Sequence, residues 1–312
     1  MRLLFLLFSF ASLSAQQQPW PELLQTPKPA LKQLPDKEGA TIWTTTHFII
    51  VCEITIPRPR LEEFAQTMES VPRLLKRLPL PLWVPPKTEK SVTRICANET
   101  SLVARGAPVG AAGCYHPRSG EILIRGDLLL KPPQARATRL QPLPNEDLLI
   151  HELTHLALHQ YGASIPTWLQ EGLPEYFAAC HVRKGSYDFT QSHRLIKQHI
   201  EKFYPYERFP IVAVPTPTRL SKRSPSQWLE TIRVSAVEDA YRQYAGSLLL
   251  THYYLEGGAK RRNELKDYLT EALSIAHLRK MPPLLEEPDD VQKRLATFWK
   301  SKGLHLKFSV DL

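Results

Sequence analysis

Glycine and cysteine are both scarce in this chain: 13 Gly and 4 Cys stand among 312 residues, against 28 Pro. Proline is at about twice its usual share, so the connections are stiff and collagen-like or flexible-linker classes are excluded. No internal repeat is present, which excludes solenoid architectures. Beyond the N-terminus no stretch stays apolar for the roughly 20 residues that a spanning helix needs. The cysteines, Cys52, Cys96, Cys114 and Cys180, contain no CxxC pair. They therefore read as structural disulfides or buried thiols rather than as metal ligands or a redox couple, and four Cys leave three full pairings open.

What is present is an ordinary globular composition, 43% hydrophobic and 23% charged, which excludes disorder throughout. Lys+Arg 40 against Asp+Glu 31 gives +9, a balance suited to an acidic partner such as a wall polymer, a lipid surface or nucleic acid. The basic clusters Lys222-Arg223 and Lys260-Arg261-Arg262 are short, so a nucleic-acid partner is not expected. The first fifteen residues, Met-Arg, an apolar run from Leu3 to Phe10 and then Ala-Ser-Leu-Ser-Ala, have the three regions of a secretory signal peptide. Cleavage near Ala15 predicts a secreted or periplasmic protein without stable membrane insertion, in a compartment where disulfides persist.

The pattern along the chain predicts an α+β fold. Residues 16–39 are rich in Gln and Pro and read as an extended tether. A mixed-sheet lobe is expected over 40–135: a β-branched run TIWTTTHFIIVCEITI, a helix with Leu61, Phe64, Met68, Val71 and Leu75 on one face, a strand SVTRICA, and a hairpin joining AAGCYHP to EILIR. Prolines at 132, 133, 142 and 144 mark the boundary, and residues 136–312 read as mainly helical, with a long irregular connection from Pro205 to Pro225.

The second lobe opens on Asn145-Glu146-Asp147-Leu148-Leu149-Ile150-His151-Glu152-Leu153-Thr154-His155. Asn145 can cap a helix whose positive end suits Glu146 and Asp147. His151 and His155, four apart, project from one face and can bite a single ion, with Glu152 beside them in reach of a water. Apolar neighbours Leu148 to Ile150, Leu153, Leu156 and Leu158 predict a buried helix, and buried histidines need partners. A catalytic zinc takes three protein ligands and leaves one position open. His159, a turn past His155, is one candidate for the third. Glu171 is the stronger, because the fifteen residues between it and His155 suffice to lay a second helix, PTWLQEGLPEY, beside the first. Glu175, a turn further on, can accept the outer N–H of a ligating His.

HELTH followed by WLQEGLPEY resembles the gluzincin metallopeptidases, whose first helix carries HExxH and whose next carries the glutamate of a WLxEGxxEY-type motif. The chain looks most like small secreted bacterial gluzincin-like proteins of unknown function. In those, a THFII-type opening strand, a GxY strand pair and a late YxxS helix flank the motif. The likeness spans roughly residues 44–275. It implies a zincin-like fold with the active-site helix between the two lobes, and a single catalytic Zn2+ on His151, His155 and Glu171. It further implies that Glu152 is the general base and that Glu175 supports a zinc-bound His. Pro174 departs from the pattern, and a proline there can kink the helix that carries Glu175.

An oxyanion needs a donor besides the metal, and Tyr244 matches the YxxS pattern, with Tyr241, His252, Tyr253 and Tyr254 as competitors. Gly113 and Tyr115 are expected on a sheet edge that holds a substrate backbone. The expected function is a secreted zinc metallopeptidase acting on peptide or protein substrates, and the absence of a GAMEN-like motif favours an endopeptidase. The competing expectation is a non-catalytic zincin-like protein of the cell envelope that recognises an acidic polymer.

Overall fold

The computed structural model describes residues 20–86, 90–130, 145–203, 209–234, 237–275, 284 and 288–309. In chain order its elements begin with β1 (Leu23–Gln25), β2 (Lys32–Lys37), β3 (Ala40–Thr44), β4 (Phe48–Cys52), α1 (Arg58–Leu75) and β5 (Ser91–Cys96). Next come α2 (Glu99–Ala104), β6 (Gly113–His116), β7 (Glu121–Arg125), α3 (Gly126–Leu129), α4 (Asn145–Ala157), a 3-10 turn at His159–Tyr161 and α5 (Thr167–Cys180). The remainder is β8 (His181–Arg183), β9 (Ser186–Asp188), α6 (Ser192–Phe203), β10 (Ile211–Pro215), α7 (Pro217–Lys222), α8 (Pro225–Val234), α9 (Val237–Glu256), α10 (Ala259–Ile275), α11 (Pro288–Lys300) and β11 (His305–Ser309). The chain is thus mixed α/β, with a sheet-rich N-terminal half and a helical C-terminal half.

Six strands form the main sheet in the order β2-β3-β4-β5-β7-β6. The central pairs β4/β5 and β5/β7 are parallel and the outer pairs antiparallel. Strand β4, FIIVC, is apolar along its whole length because it lies inside the sheet with both faces covered. Helix α1 is the crossover from β4 to β5. The five apolar positions expected on one face are all buried there, and Pro59 at its start lacks only an N–H that the first turn leaves unpaired anyway. The expected AAGCYHP/EILIR hairpin is β6/β7, pairing Gly113 with Ile124 and His116 with Glu121. Helices α1 and α4 pack together, and α4 lies on β6 and β7 and against α5, so the HELTH helix is shared between sheet and helices.

Three expectations change. The run from Thr41 to Ile56 is two strands, because Thr45 folds it back: its N–H bonds to the Phe48 carbonyl at 2.9 Å and its hydroxyl accepts the Phe48 N–H at 3.3 Å. The presumed tether holds two strands. In β1, Leu24 is buried and pairs with Tyr187 of β9, and β2 zips onto β3. Neither segment is apolar enough to announce itself: β1 is a strand because the distant β9 supplies its hydrogen bonds, and β2 because it folds back on the adjacent β3 through a tight turn at Glu38-Gly39. The Pro205–Pro225 connection likewise contains β10, which pairs in parallel with the C-terminal β11, and then α7, capped by Thr216. The signal peptide and the prolines of the lobe boundary lie outside the described residues.

All four cysteines are free thiols, so none of the three pairings forms. Burial pushes Cys52 and Cys96 up to about 11 and Cys114 up to about 12, which leaves them inert. No helix among the described residues is long and apolar enough to cross a membrane.

Candidate metal centre

Helix α4 is held by its apolar faces. Leu149, Ile150, Leu153, Leu156 and Ala157 are all buried, and the Thr154 hydroxyl donates to the Ile150 carbonyl one turn back at 2.7 Å, which satisfies it without leaving the helix. This anchoring fixes the direction in which His151 and His155 point. Their Nε2 atoms face one another at 3.0 Å, and Glu171 Oε2, delivered by α5, lies 3.6 Å from each. Two ligand atoms about 2.0–2.1 Å from a tetrahedral ion stand roughly 3.3 Å apart, so a triangle with these edges has the size that one such ion requires. The three residues are the one group of its kind among the described residues. His151 is buried while the His155 and Glu171 side chains are 21% and 17% exposed, so the centre sits at the bottom of an opening rather than in sealed core.

The charges agree with that reading of the donor set. Burial would raise the Glu171 carboxyl, but His155 and His151 outweigh it and hold it at about 2. Burial would likewise depress the His151 imidazole, yet Glu171 and Glu175 raise it well above its ordinary value. Carboxylates packed around two imidazoles at such distances create a site that demands positive charge, which a divalent cation meets.

Helix α5 packs on both α4 and α9, and it passes close to α9 because Gly172 carries no side chain. A Cβ at Gly172 would lie 2.1 Å from the Thr251 hydroxyl and 2.6 Å from the Ser247 carbonyl oxygen. The glycine after Glu171 is therefore a packing requirement, and it sets α9 so that Tyr244, one turn before Ser247, meets the site. The Tyr244 ring centre is 6.3 Å from that of His151. Burial first, and then Glu171, Glu175 and Glu152, push its ionisation well above the ordinary range, so its hydroxyl remains a proton donor. Of the competitors, Tyr253 and Tyr254 are in the core and His252 is buried against Ser192, whereas Tyr241, like Tyr244, is a partly buried ring packed against the core.

Pro174 lies inside α5, and the helix continues through it to Cys180. Glu175 accordingly stays in place: its Oε1 is 3.0 Å from His151 Nδ1, although the N–H is not aligned on it, and its Oε2 accepts from His199 Nε2 at 2.9 Å. His159 is not brought to the site. Helix α4 ends at Ala157, and the 3-10 turn that follows carries His159 round to the Tyr115 hydroxyl instead.

Glu152 is buried, and one of its oxygens, Oε2, accepts the backbone N–H of Tyr115 at 2.6 Å. Strand β6 is the last in its sheet, so this N–H points off the edge towards α4, beside the turn that carries His151 and His155. Gly113 has a packing reason of its own: a Cβ there would meet Ile124 Cδ1 at 2.8 Å, the Leu123 carbonyl oxygen at 3.0 Å and Leu148 Cδ2 at 3.4 Å, so the glycine lets α4 approach the sheet at its β6 edge. The side chain of Asn145, expected as the cap of α4, lies outside the described residues. Sequence reasoning missed His199. Its one sequence signal is a place on the inward stripe of α6 with Ile196 and Ile200, which an ordinary core histidine shares.

No protein-family model matches the chain, and no curated protein matches it. The class rests on geometry alone: an α/β protein with a His-His-Glu set able to hold a metal ion at the junction of sheet and helices.

Proposed function

We propose that this chain is a secreted zinc-dependent metallopeptidase of gluzincin type, with a zincin-like fold, hydrolysing peptide bonds in peptide or protein substrates. The observation that carries the reading is the 3.0 and 3.6 Å triangle of His151, His155 and Glu171 with the Glu152 carboxylate held beside it. Zinc suits two imidazoles and one carboxylate, and held there it supplies Lewis acidity, polarising a carbonyl and acidifying water towards a pKa of about 7.

The chain's own residues supply the rest. The Tyr115 N–H fixes one oxygen of Glu152, leaving the other to take the proton of the attacking water and pass it to the departing amine. Glu175 Oε1 lies 3.0 Å from the outer nitrogen of His151, and a small turn of the imidazole that brings its N–H on line would keep the inner nitrogen's lone pair directed at the centre. Tyr244 donates its hydroxyl proton to the oxygen on which negative charge develops. The outer edge of β6 lies where an extended substrate backbone can pair in front of Glu152. Export follows from the N-terminal signal sequence, and endopeptidase action from the missing motif for a free N-terminus.

The test is cleavage of a mixed peptide library by the zinc-loaded protein, with Glu152→Gln as control. Cleavage by the wild type that falls about 100-fold or more in Glu152→Gln, at equal zinc content, is the expected result. A wild type that binds zinc and cleaves nothing would point to the non-catalytic reading, an envelope protein recognising an acidic polymer.

A further inference from the structure

Behind the two histidines lies a polar arrangement that neither motif contains. Glu175 has two carboxylate oxygens, and they are used differently. Oε1 faces His151 Nδ1 at 3.0 Å with the N–H off line, whereas Oε2 receives a well-formed hydrogen bond of 2.9 Å from His199 Nε2. Both side chains are nearly sealed from solvent, Glu175 at 9% and His199 at 7% exposure. A buried carboxylate takes its position from the donor that bonds it best, because losing that bond leaves an unpaired charge in low dielectric. For Glu175 that donor is His199.

Helix α6 is itself well anchored. Ser192, Ile196, His199 and Ile200 form its inward stripe. One turn past His199, Lys202 Nζ lies 3.7 Å from Asp147 Oδ2, and Asp147 precedes His151 by one turn on α4. The helix thus contacts both α4 and α5, and its His199 contact reaches a group that faces a candidate ligand.

We propose that His199 is a positioning residue of the metal centre: by holding Glu175 through its second oxygen, it sets the carboxylate that orients His151. This rests on the zinc reading above. It goes beyond it by assigning a role in metal affinity to a residue outside both motif helices.

The experiment is a zinc titration against a chromophoric chelator for the wild type, His199→Leu and His199→Gln. It is joined by the visible spectrum of each cobalt-substituted protein and the thermal melt of each metal-free protein. Partners of metal ligands carry roughly 10–100-fold in affinity. His199→Leu is expected to weaken zinc binding about tenfold or more and to alter the cobalt spectrum. His199→Gln, whose amide N–H can replace the Nε2 donor, should stay within about threefold of the wild type. Should the leucine variant fail to fold, His199→Asn replaces it, since its shorter amide cannot reach Glu175. Removal that leaves affinity and spectrum unchanged overturns the proposal. So does a glutamine variant as weak as the removal variant while its metal-free melt matches the wild type, which would show that a donor to Glu175 is not what sets metal affinity. A wild type that takes up no zinc refutes the metal reading and this inference together, whereas normal wild-type uptake with an indifferent His199 refutes this inference alone.

Discussion

Replacing Gly172 with alanine tests the contact on which the whole site depends. The added Cβ would stand 2.1 Å from Thr251 Oγ1 and 2.6 Å from the Ser247 carbonyl oxygen, where ordinary contact begins at 3.4 Å. A hydroxyl can move aside, but a carbonyl inside a helix cannot, so α5 and α9 must part by about 0.8 Å (3.4 − 2.6) along that contact. Overpacking typically costs about 1–3 kcal/mol, and a backbone collision of this depth belongs at the upper end. Alanine's better helix propensity offsets about 1 kcal/mol, which leaves a loss of about 2 kcal/mol. For a chain of this size each kcal/mol moves Tm by roughly 1.5 °C, so differential scanning calorimetry should show a fall of about 3 °C. Adding Thr251→Ala removes the hydroxyl and leaves the carbonyl, so the double variant should recover less than half of the loss caused by alanine at 172. Because Tyr244 rides on α9 and Glu171 on α5, peptide turnover should fall further than zinc content. A Gly172→Ala protein melting within about 1 °C of the wild type would refute the close helix contact and the account of Tyr244 built on it.

Tyr244→Phe keeps the ring that packs beside His151 and removes only the hydroxyl. Turnover should drop about 100-fold, the scale of a lost oxyanion donor, with zinc stoichiometry unchanged; full activity would assign the donor to another group. A separate test concerns Glu69, which is buried and accepts both the backbone N–H of His47 at 2.8 Å and its Nδ1 at 2.6 Å. Burial would raise this carboxyl, but the His47 bonds and the Thr45 hydroxyl hold it below its ordinary value. A depressed folded pKa means that its contribution is complete above the unfolded value of about 4.3 and is lost as pH falls below it. The urea midpoint of the wild type should therefore decline more steeply below about pH 4.3 than that of Glu69→Gln, and parallel declines would contradict the assignment.

The residues that carry the proposed chemistry were readable because their signals are local. A histidine pair four apart needs only helical geometry to share a face. Acidic residues opening a helix, a turn, and an apolar stripe on α1 are likewise properties of short windows. Glu171 also emerged from the sequence, since fifteen residues of connection allow few arrangements other than a second helix beside the first. Strand β1 was invisible because its hydrogen-bond partner β9 lies far away, and β2, KQLPDK, because it is exposed and itself carries no apolar pattern although its partner β3 is adjacent. The break between β3 and β4 hid inside a run whose composition is uniformly β-forming, and it depends on a threonine that bonds back to the chain.

Sequence alone thus determined which side chains have metal-ligand chemistry and that two of them share a helical face. Tertiary structure decided that Glu171 rather than His159 completes the set, because α4 ends at Ala157 and turns His159 away towards Tyr115. It also decided that a strand edge reaches Glu152, that Gly113 and Gly172 serve helix packing, and that His199 stands behind Glu175. The physical reason is separation along the chain: hydrogen bonds from Tyr115 to Glu152 or from His199 to Glu175 join segments that meet only after the sheet and helices have packed, and no short-range pattern encodes where a distant partner will come to rest.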